Sequence, residues 1–268
     1  MKGKEILDLV DMEDADSSLS GLLGQRMFAI RKKVSLPPTF LLSSSVFREL
    51  VEGKEIPAGN HIPWELELDI ARKFDGLESP VVRILPSPSY EYSIPPISLV
   101  NSKPSLVLGI DSLFRSFFER EEADKREQIG VRDFSVAAIV QELLDAKCSG
   151  HLTQSERKTR FTAVHGLPMQ TFGADTYVLD FEGKMTSHSE REQKKKWVLG
   201  EKDVEEVEIE KDSWDTDKLT EKQASRLASL GRKILELFGE SVTVEWYLVR
   251  NTFYVASLYP TKIGLAGS

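Results

Sequence analysis

The sequence predicts an α+β fold of two lobes that meet near residue 135. Strand-like and helix-like segments mix without strict β–α–β alternation. One apolar run, Phe134 to Leu144 (FSVAAIVQELL), is β-branched and alanine-rich in its first half, as a strand buried on both faces would be. The chain then closes, from Leu219 to Pro260, on an amphipathic helix followed by two alternating segments.

Residues 1 to 20 are polar and acidic and predict a short helix followed by a loop. A helix is expected from Gly21 to Lys33, closed by Pro37-Pro38, because a proline pair stops a helix and sends the chain into extended structure. Thr39 to Leu42 reads as a short strand, and Ser45 to Val51 as a helix ending at Gly53. Pro63 to Phe74 has helical spacing at Leu66, Ile70 and Phe74, and Pro80 to Leu85 is a strand carrying a single charge, Arg83. Pro86 to Pro104 contains five prolines and reads as an ordered loop or edge segment, since proline cannot serve a central ladder.

Leu106 to Arg120 predicts a helix with Leu108, Leu113, Phe117 and Phe118 on or near one face, followed by a charged helical segment, Glu121 to Gln128. Gln141 ends the apolar run of the next strand. Arg160 to Val164 and Thr176 to Phe181 are further strands. His188 to Lys196 is a charged run, and Val198 to Trp214 is acidic with alternation at Val204, Val207 and Ile209. In the closing unit, Leu227, Leu230, Ile234, Leu237 and Phe238 recur at helical spacing. Thr220 and Gln223 make a capping-box pair, and Gly239 sits at the C-terminal stop. Two strands, Val242 to Val249 and Thr252 to Leu258, join at Arg250-Asn251.

A chain of 268 residues suffices for one large or two modest domains, and 40% hydrophobic with 29% charged residues is ordinary for a soluble globular protein. A formal charge of -8 and a pI near 5.3 argue against a nucleic-acid partner, which selects a basic surface. With one cysteine, Cys148, an intrachain disulfide and a Cys-rich zinc site are both ruled out. The N-terminus is acidic without a long apolar core, and no apolar run approaches the roughly 20 residues that span a bilayer. These features predict a cytoplasmic protein with no membrane partner.

Several segments, taken in order, resemble the N-terminal ATP/AMP-binding domain of phosphoenolpyruvate synthase and pyruvate phosphate dikinase. Leu23-Gly24-Gln25-Arg26 and Leu36-Pro37-Pro38-Thr39-Phe40 lie where the family has a glycine-glycine-lysine helix start and a valine-proline-proline-glycine-phenylalanine turn. Val82-Arg83-Ile84-Leu85 matches its valine-arginine-serine-serine strand, and Ala138-Ile139-Val140-Gln141 with Ser149-Gly150 its valine-rich strand and serine-glycine pair. Ala174-Asp175-Thr176-Tyr177-Val178, Phe238-Gly239 and Val244-Glu245-Trp246 continue the match. The resemblance implies an ATP-grasp-like fold with two lobes around a central cleft, residues 1–134 forming the phosphate-binding lobe and 135–268 the second. It covers that domain alone, and the expectation is a stand-alone unit without the family's phosphohistidine carrier domain and pyruvate-binding barrel.

By the same resemblance, Arg26 and Arg83 are expected at the phosphates of ATP, Gln141 on the strand beside adenine, and Glu245 as a Mg2+ ligand. A carboxylate in a half-buried, β-rich setting needs a proton, a cation or a metal in any case, although a lone one holds magnesium poorly. The departures fall on the chemistry. Gln25 or Arg26 replaces the family's phosphate-binding lysine, Ile84 and Leu85 its serines, and Gly166-Leu167-Pro168-Met169 its glycine-leucine-glycine-glutamate motif. Ser257-Leu258-Tyr259-Pro260 stands for glutamine-x-arginine-proline. Phosphoryl transfer rests on positioning and charge neutralisation, and each lost group removes about 2–4 kcal/mol of transition-state stabilisation.

Two functions follow. One is a divergent nucleotide-binding domain which, if active, is an ATP-dependent kinase or phosphotransferase with ordinary dikinase chemistry lost. The other is a pseudoenzyme, a non-catalytic binding or regulatory module that works through a protein partner. The remaining chemistry-bearing residues carry ordinary expectations. His61, His151, His165 and His188 show no metal spacing, Cys148 is a buried small residue, Asp175 and Asp180 are turn or surface acids, and Lys194 to Lys196 form a solvated face.

Overall fold

The computed structural model describes residues 5–51, 62–91, 98–169 and 173–261; the helix stop expected at Gly53, and His61, lie outside the described residues. The chain divides into two units, Met1–Ala29 with Pro38–Leu143 and Ile30–Pro37 with Leu144–Ser268. Among the described residues, no helix is long and apolar enough to cross a membrane.

The first unit is built on an antiparallel sheet in the order β1–β2–β5–β3–β4 (β1 Ile6–Asp8, β2 Thr39–Leu42, β3 Val82–Pro88, β4 Ser98–Val100, β5 Val136–Glu142). Strand alternation sorts its side chains. Helices α1 (Asp14–Ser17) and α2 (Gly21–Ile30) lie between β1 and β2 in the chain, and Phe40, Leu42, Val82, Ile84, Val136, Ala138 and Val140 share one core with residues of α3 (Ser44–Val51), α4 (Trp64–Asp75) and α5 (Lys103–Ser116). Their alternates in β2, β3 and β5, which include Thr39, Arg83 and Gln141, project to the other face.

Helix α5 starts on Ser102, whose hydroxyl accepts from the Ser105 N–H, with Pro104 in the first turn where its missing N–H costs nothing. Leu106, Ile110, Phe114 and Phe117 are its buried row, while Leu108 (57% exposed) and Phe118 (41%) point outward. Of the expected face, Phe117 and Leu113 pack on the core while Leu108 and Phe118 stay exposed, and the helix stops at Ser116 before a separate α6 (Arg120–Gln128).

Of the proline-rich stretch expected as an ordered loop or edge segment, the first part is strand. Strand β3 runs on through Pro86 and Pro88, opposite Ala138 and Val136 of β5. Parity makes this tolerable. The Ser89 N–H donates to the Ser135 carbonyl, so odd-numbered residues turn their N–H toward β5 and both prolines face away. On that side, among the described residues, β4 pairs only with Val82 to Ile84, so the two prolines withhold no donor from a described ladder partner.

The second unit holds an antiparallel sheet in the order β13–β12–β6–β7–β8–β9 (β6 Cys148–Gln154, β7 Lys158–His165, β8 Asp175–Asp180, β9 Met185–Ser189, β12 Val242–Val249, β13 Thr252–Pro260). The acidic stretch expected only as an alternating run forms a hairpin of β10 (Lys195–Leu199) and β11 (Val204–Glu208), Lys195 facing Glu208 and donating to Glu206. Helix α7 (Glu221–Phe238) has the predicted capping box and ends at Gly239 with φ 67°. It buries Leu227, Ala228, Gly231 and Ile234. Gly150 explains its own position. A Cβ there would lie 1.9 Å from the Thr162 carbonyl oxygen, so only glycine lets β6 and β7 approach.

Candidate functional site

In the first unit, Thr39, Gln141 and Arg83 are cross-strand partners on β2, β5 and β3. The Arg83 Nε donates to Gln141 Oε1 at 2.8 Å, and Gln141 Nε2 donates to the Thr39 hydroxyl at 3.1 Å. Arg83 and Gln141 are both fully buried. A buried guanidinium needs acceptors, and the glutamine supplies one while its own amide is held by threonine, so the side chains of the row fix one another. After Gln141, the N–H groups of Glu142 and Leu143 donate to the carbonyls of Pro38 and Val81, so the sheet already uses them.

Arg26 stands on α2 (Gly21–Ile30) and meets Glu91 in a bidentate ion pair, with Arg26 Nη1 at 3.2 Å from Glu91 Oε2 and the second contact from Nη2 to Oε1. Its partner is 43% exposed. The start of that helix is tied to β3 by Ser87, whose hydroxyl donates to the Ser20 carbonyl at 2.7 Å and accepts from the Gly24 N–H at 3.0 Å.

In the second unit, Glu245 is 5% exposed. Ser257 donates to its Oε2 at 2.8 Å and Tyr247 to its Oε1 at 3.2 Å. Glu245 pairs with Ser257 across the hairpin, and the register shifts immediately afterwards, Trp246 facing Val255. Such a bulge re-aims the side chains beside it. Among the described residues, Glu245 is in no cluster of three potential metal ligands. One carboxylate with both oxygens already accepting hydroxyl protons does not by itself make a Mg2+ site, which wants several oxygen ligands in near-octahedral order.

Asp175 overturns its expected surface role. It is fully buried and accepts from the Lys218 ammonium at 2.9 Å, the Lys218 and Arg191 N–H groups at 3.2 and 2.9 Å, and the Tyr177 hydroxyl at 3.2 Å. Burial pushes the Tyr177 hydroxyl well above the usual range. His188 stacks on Tyr177 at 4.3 Å between ring centroids, and its Nε2 lies 3.5 Å from Asp217 and 4.0 Å from Asp175. Asp175, His188 and Asp217 are close enough to share an ion. The Lys218 ammonium already neutralises Asp175 and would repel a second cation, so the cluster is an internal ion pair with a histidine at its rim. Asp180 is the turn acid expected, accepting from the Lys184 N–H.

Cys148 is buried, its thiol 3.8 Å from His165 Nδ1. Burial raises the thiol to about 11, and burial with Lys218 and Lys196 lowers His165 to about 4. Both are therefore neutral near pH 7, the opposite of an activated thiolate–imidazolium pair.

The sequence profile described as "Pyruvate phosphate dikinase, AMP/ATP-binding domain" matches residues 97–264, well over half of the 268-residue chain. The chain belongs to this family. Its fold is α+β and ATP-grasp-like. A probable phosphoenolpyruvate synthase of Archaeoglobus fulgidus is 23% identical over 311 residues, covering 95% of this chain and 41% of the relative. A rifampicin phosphotransferase of Bacillus subtilis is 36% identical over 69 residues, 25% of this chain and 8% of the relative. The chain thus spans less than half the length of either. Among solved structures, D-alanine–D-alanine ligase from Bacillus anthracis complexed with ATP is similar with a TM-score of 0.43 at 8% identity, over 91% of this chain and 55% of that one. C-terminally truncated Cdc123 from Schizosaccharomyces pombe is similar with a TM-score of 0.47 at 11% identity, over 93% and 86%.

Gln141 and Glu245 lie inside the stretch matched to the pyruvate phosphate dikinase domain, and Arg26 and Arg83 lie before it. The structure brings Arg83 and Gln141 together, ties Arg26 to Glu91, and places Glu245 in the other unit. Sequence reasoning missed Thr39, Ser87, Lys218 and Tyr247. Thr39 follows the proline pair and carried a signal, since a polar residue opening a buried strand needs a partner; Lys218, in a charged stretch, carried none.

Proposed function

We propose that the chain binds an adenine nucleotide and that ordinary dikinase chemistry is lost from it. The observation that carries the proposal is the buried Arg83–Gln141–Thr39 row, in a chain of an AMP/ATP-binding family. A guanidinium stays charged at any accessible pH and presents a planar fork suited to phosphate oxygens. Held through Nε by a glutamine that is itself held, it loses little side-chain freedom on meeting an anion. Arg26 supports the same reading, because its guanidinium already holds a carboxylate by two contacts, and the same planar fork suits a phosphate.

The loss of catalysis rests on Glu245. Its oxygens are engaged by Ser257 and Tyr247, and the family's glutamine and arginine stand here as Ser257 and Tyr259. If the family's magnesium is used, Glu245 is the residue that would hold it, and the remaining ligands must come from the nucleotide and water. Any residual activity would be that of an ATP-dependent kinase or phosphotransferase.

Calorimetric titration with ATP, with and without Mg2+, tests the proposal on the unaltered chain, Arg83→Ala and Arg83→Lys. Binding at or below millimolar ATP is expected, weakened at least 10-fold by Arg83→Ala and less by Arg83→Lys, with little dependence on Mg2+. No heat at millimolar ATP would sink nucleotide binding, and equal affinity in folded Arg83→Ala would remove Arg83 from the site.

A further inference from the structure

The strongest feature outside these residues is a cavity of about 310 Å3 in the second unit, walled by α7, the start of β13 and the segment from Lys33 to Ser35. Lys33, Arg226 and Lys233 line it, and no acidic residue among the described ones does. In a chain with a net charge of -8, three cations on one concavity are a local reversal of sign. Among the described residues, neither Lys33 nor Lys233 has an acidic side chain within ion-pair distance. Their mutual repulsion is relieved when an anion enters between them.

The walls are held in place without a ligand. The Ser35 carbonyl accepts from the Val255 N–H at 2.9 Å, which fastens the Lys33–Ser35 segment along β13. Arg226 donates from Nη1 to Asn251 Oδ1 at 3.1 Å and from Nη2 to the Asn251 carbonyl at 3.0 Å, and its guanidinium lies 5.7 Å from the centre of the Phe253 ring. Hydroxyls of Ser35, Ser229 and Thr252 add neutral donors, and Val34, Leu230 and Phe253 give the cavity an apolar part. An adjoining cavity of about 340 Å3 is bordered by the same two lysines, but Glu236 lies on it, so the anion belongs on the Arg226 side. Small-molecule sites run from about 300 to 1,000 Å3 and combine apolar walls with a few converging polar groups.

We infer that this cavity binds a small phosphate-bearing organic molecule, its phosphate between Lys33, Lys233 and Arg226 and its organic body against Phe253 and Leu230. Arg83, Gln141 and Glu245 are not among the residues that line it, so the site stands or falls apart from the nucleotide reading above.

Titrations of the full chain with sodium phosphate and with phenyl phosphate, at constant ionic strength made up with chloride, test it through the backbone amide signals of Ser35, Ser229 and Thr252. Saturable shifts at all three are expected, with phenyl phosphate binding at least several-fold tighter than inorganic phosphate. Lys33→Gln/Lys233→Gln, two changes at exposed side chains, should weaken both at least 10-fold while thermal unfolding and the response to ATP through Arg83 stay unchanged. Absence of saturation, the same shifts in chloride alone, or full affinity in the double variant would overturn the site. Equal affinity for the two probes would overturn the organic body.

Discussion

A single buried ion pair shows how much rests on one side chain in the second unit. Asp175 and Lys218 are both without solvent exposure and 2.9 Å apart, and the carboxylate has further donors in two backbone N–H groups and Tyr177. Removing either partner leaves a buried charge alone, which costs about 3–5 kcal/mol, whereas a well-packed apolar pair can be close to neutral. Asp175→Asn and Lys218→Met should each lower the unfolding free energy by about that much in urea titrations. Asp175→Leu/Lys218→Met together should cost less than the sum of the single changes. Additive losses would mean that the two residues act independently. Neither partner announced this in the sequence. An aspartate ahead of a strand and a lysine in a charged stretch both look solvated until the fold brings residues 43 positions apart together.

At the scale of elements, the hairpin of β12 and β13 carries a measurable strain. Arg250 and Asn251 both have positive φ, 46° and 71°, and Val249 pairs directly with Thr252. A two-residue turn of this hand matches the twist of its strands but asks for residues that tolerate the left-handed region, which asparagine does and arginine does not. Arg250→Asn should therefore stabilise the chain by about 0.5–1 kcal/mol, seen as a higher denaturant midpoint at unchanged slope. Elements of this closing unit were legible because local signals decide them: the Thr220–Gln223 box, the glycine stop and both strands stand in the structure, although the strands are buried along nearly their whole length and not on alternate residues. Where tertiary context decides, local signals mislead. Pro86 and Pro88 read as an ordered loop or edge segment; they belong to β3 itself, on the side where, among the described residues, β4 pairs only with Val82 to Ile84. Leu108 and Phe118 read as core, yet the sheet takes the row through Ile110 and Phe114.

For the molecule as a whole, acid should be felt at His165. Burial holds its folded value near 4, below the usual 6.5. Between these values the unfolded chain binds a proton that the folded chain refuses, so stability falls as pH drops from about 6.5 to about 4 and this contribution is constant below. Carboxylates add their own acid sensitivity, so the readout is a difference. Melting temperatures measured across that window should fall less steeply in His165→Gln than in the unaltered chain, and parallel curves would exclude His165. The family was legible from an ordered set of short landmarks, and its profile spans both the Gln141 strand and the closing hairpin. The candidate site was legible only in part. A sequence names Arg83 and Glu245, but that Gln141 grips the first and that Ser257 and Tyr247 occupy the second are facts of register.

The Asp175–Lys218 pair has a consequence for descent. Because either single replacement strands a charge in the interior, a lineage can leave this arrangement only by changing both positions at nearly the same time, or by passing through a fragile intermediate. The two positions are therefore locked to each other while the surface around them drifts, and relatives that have lost one should have lost the other.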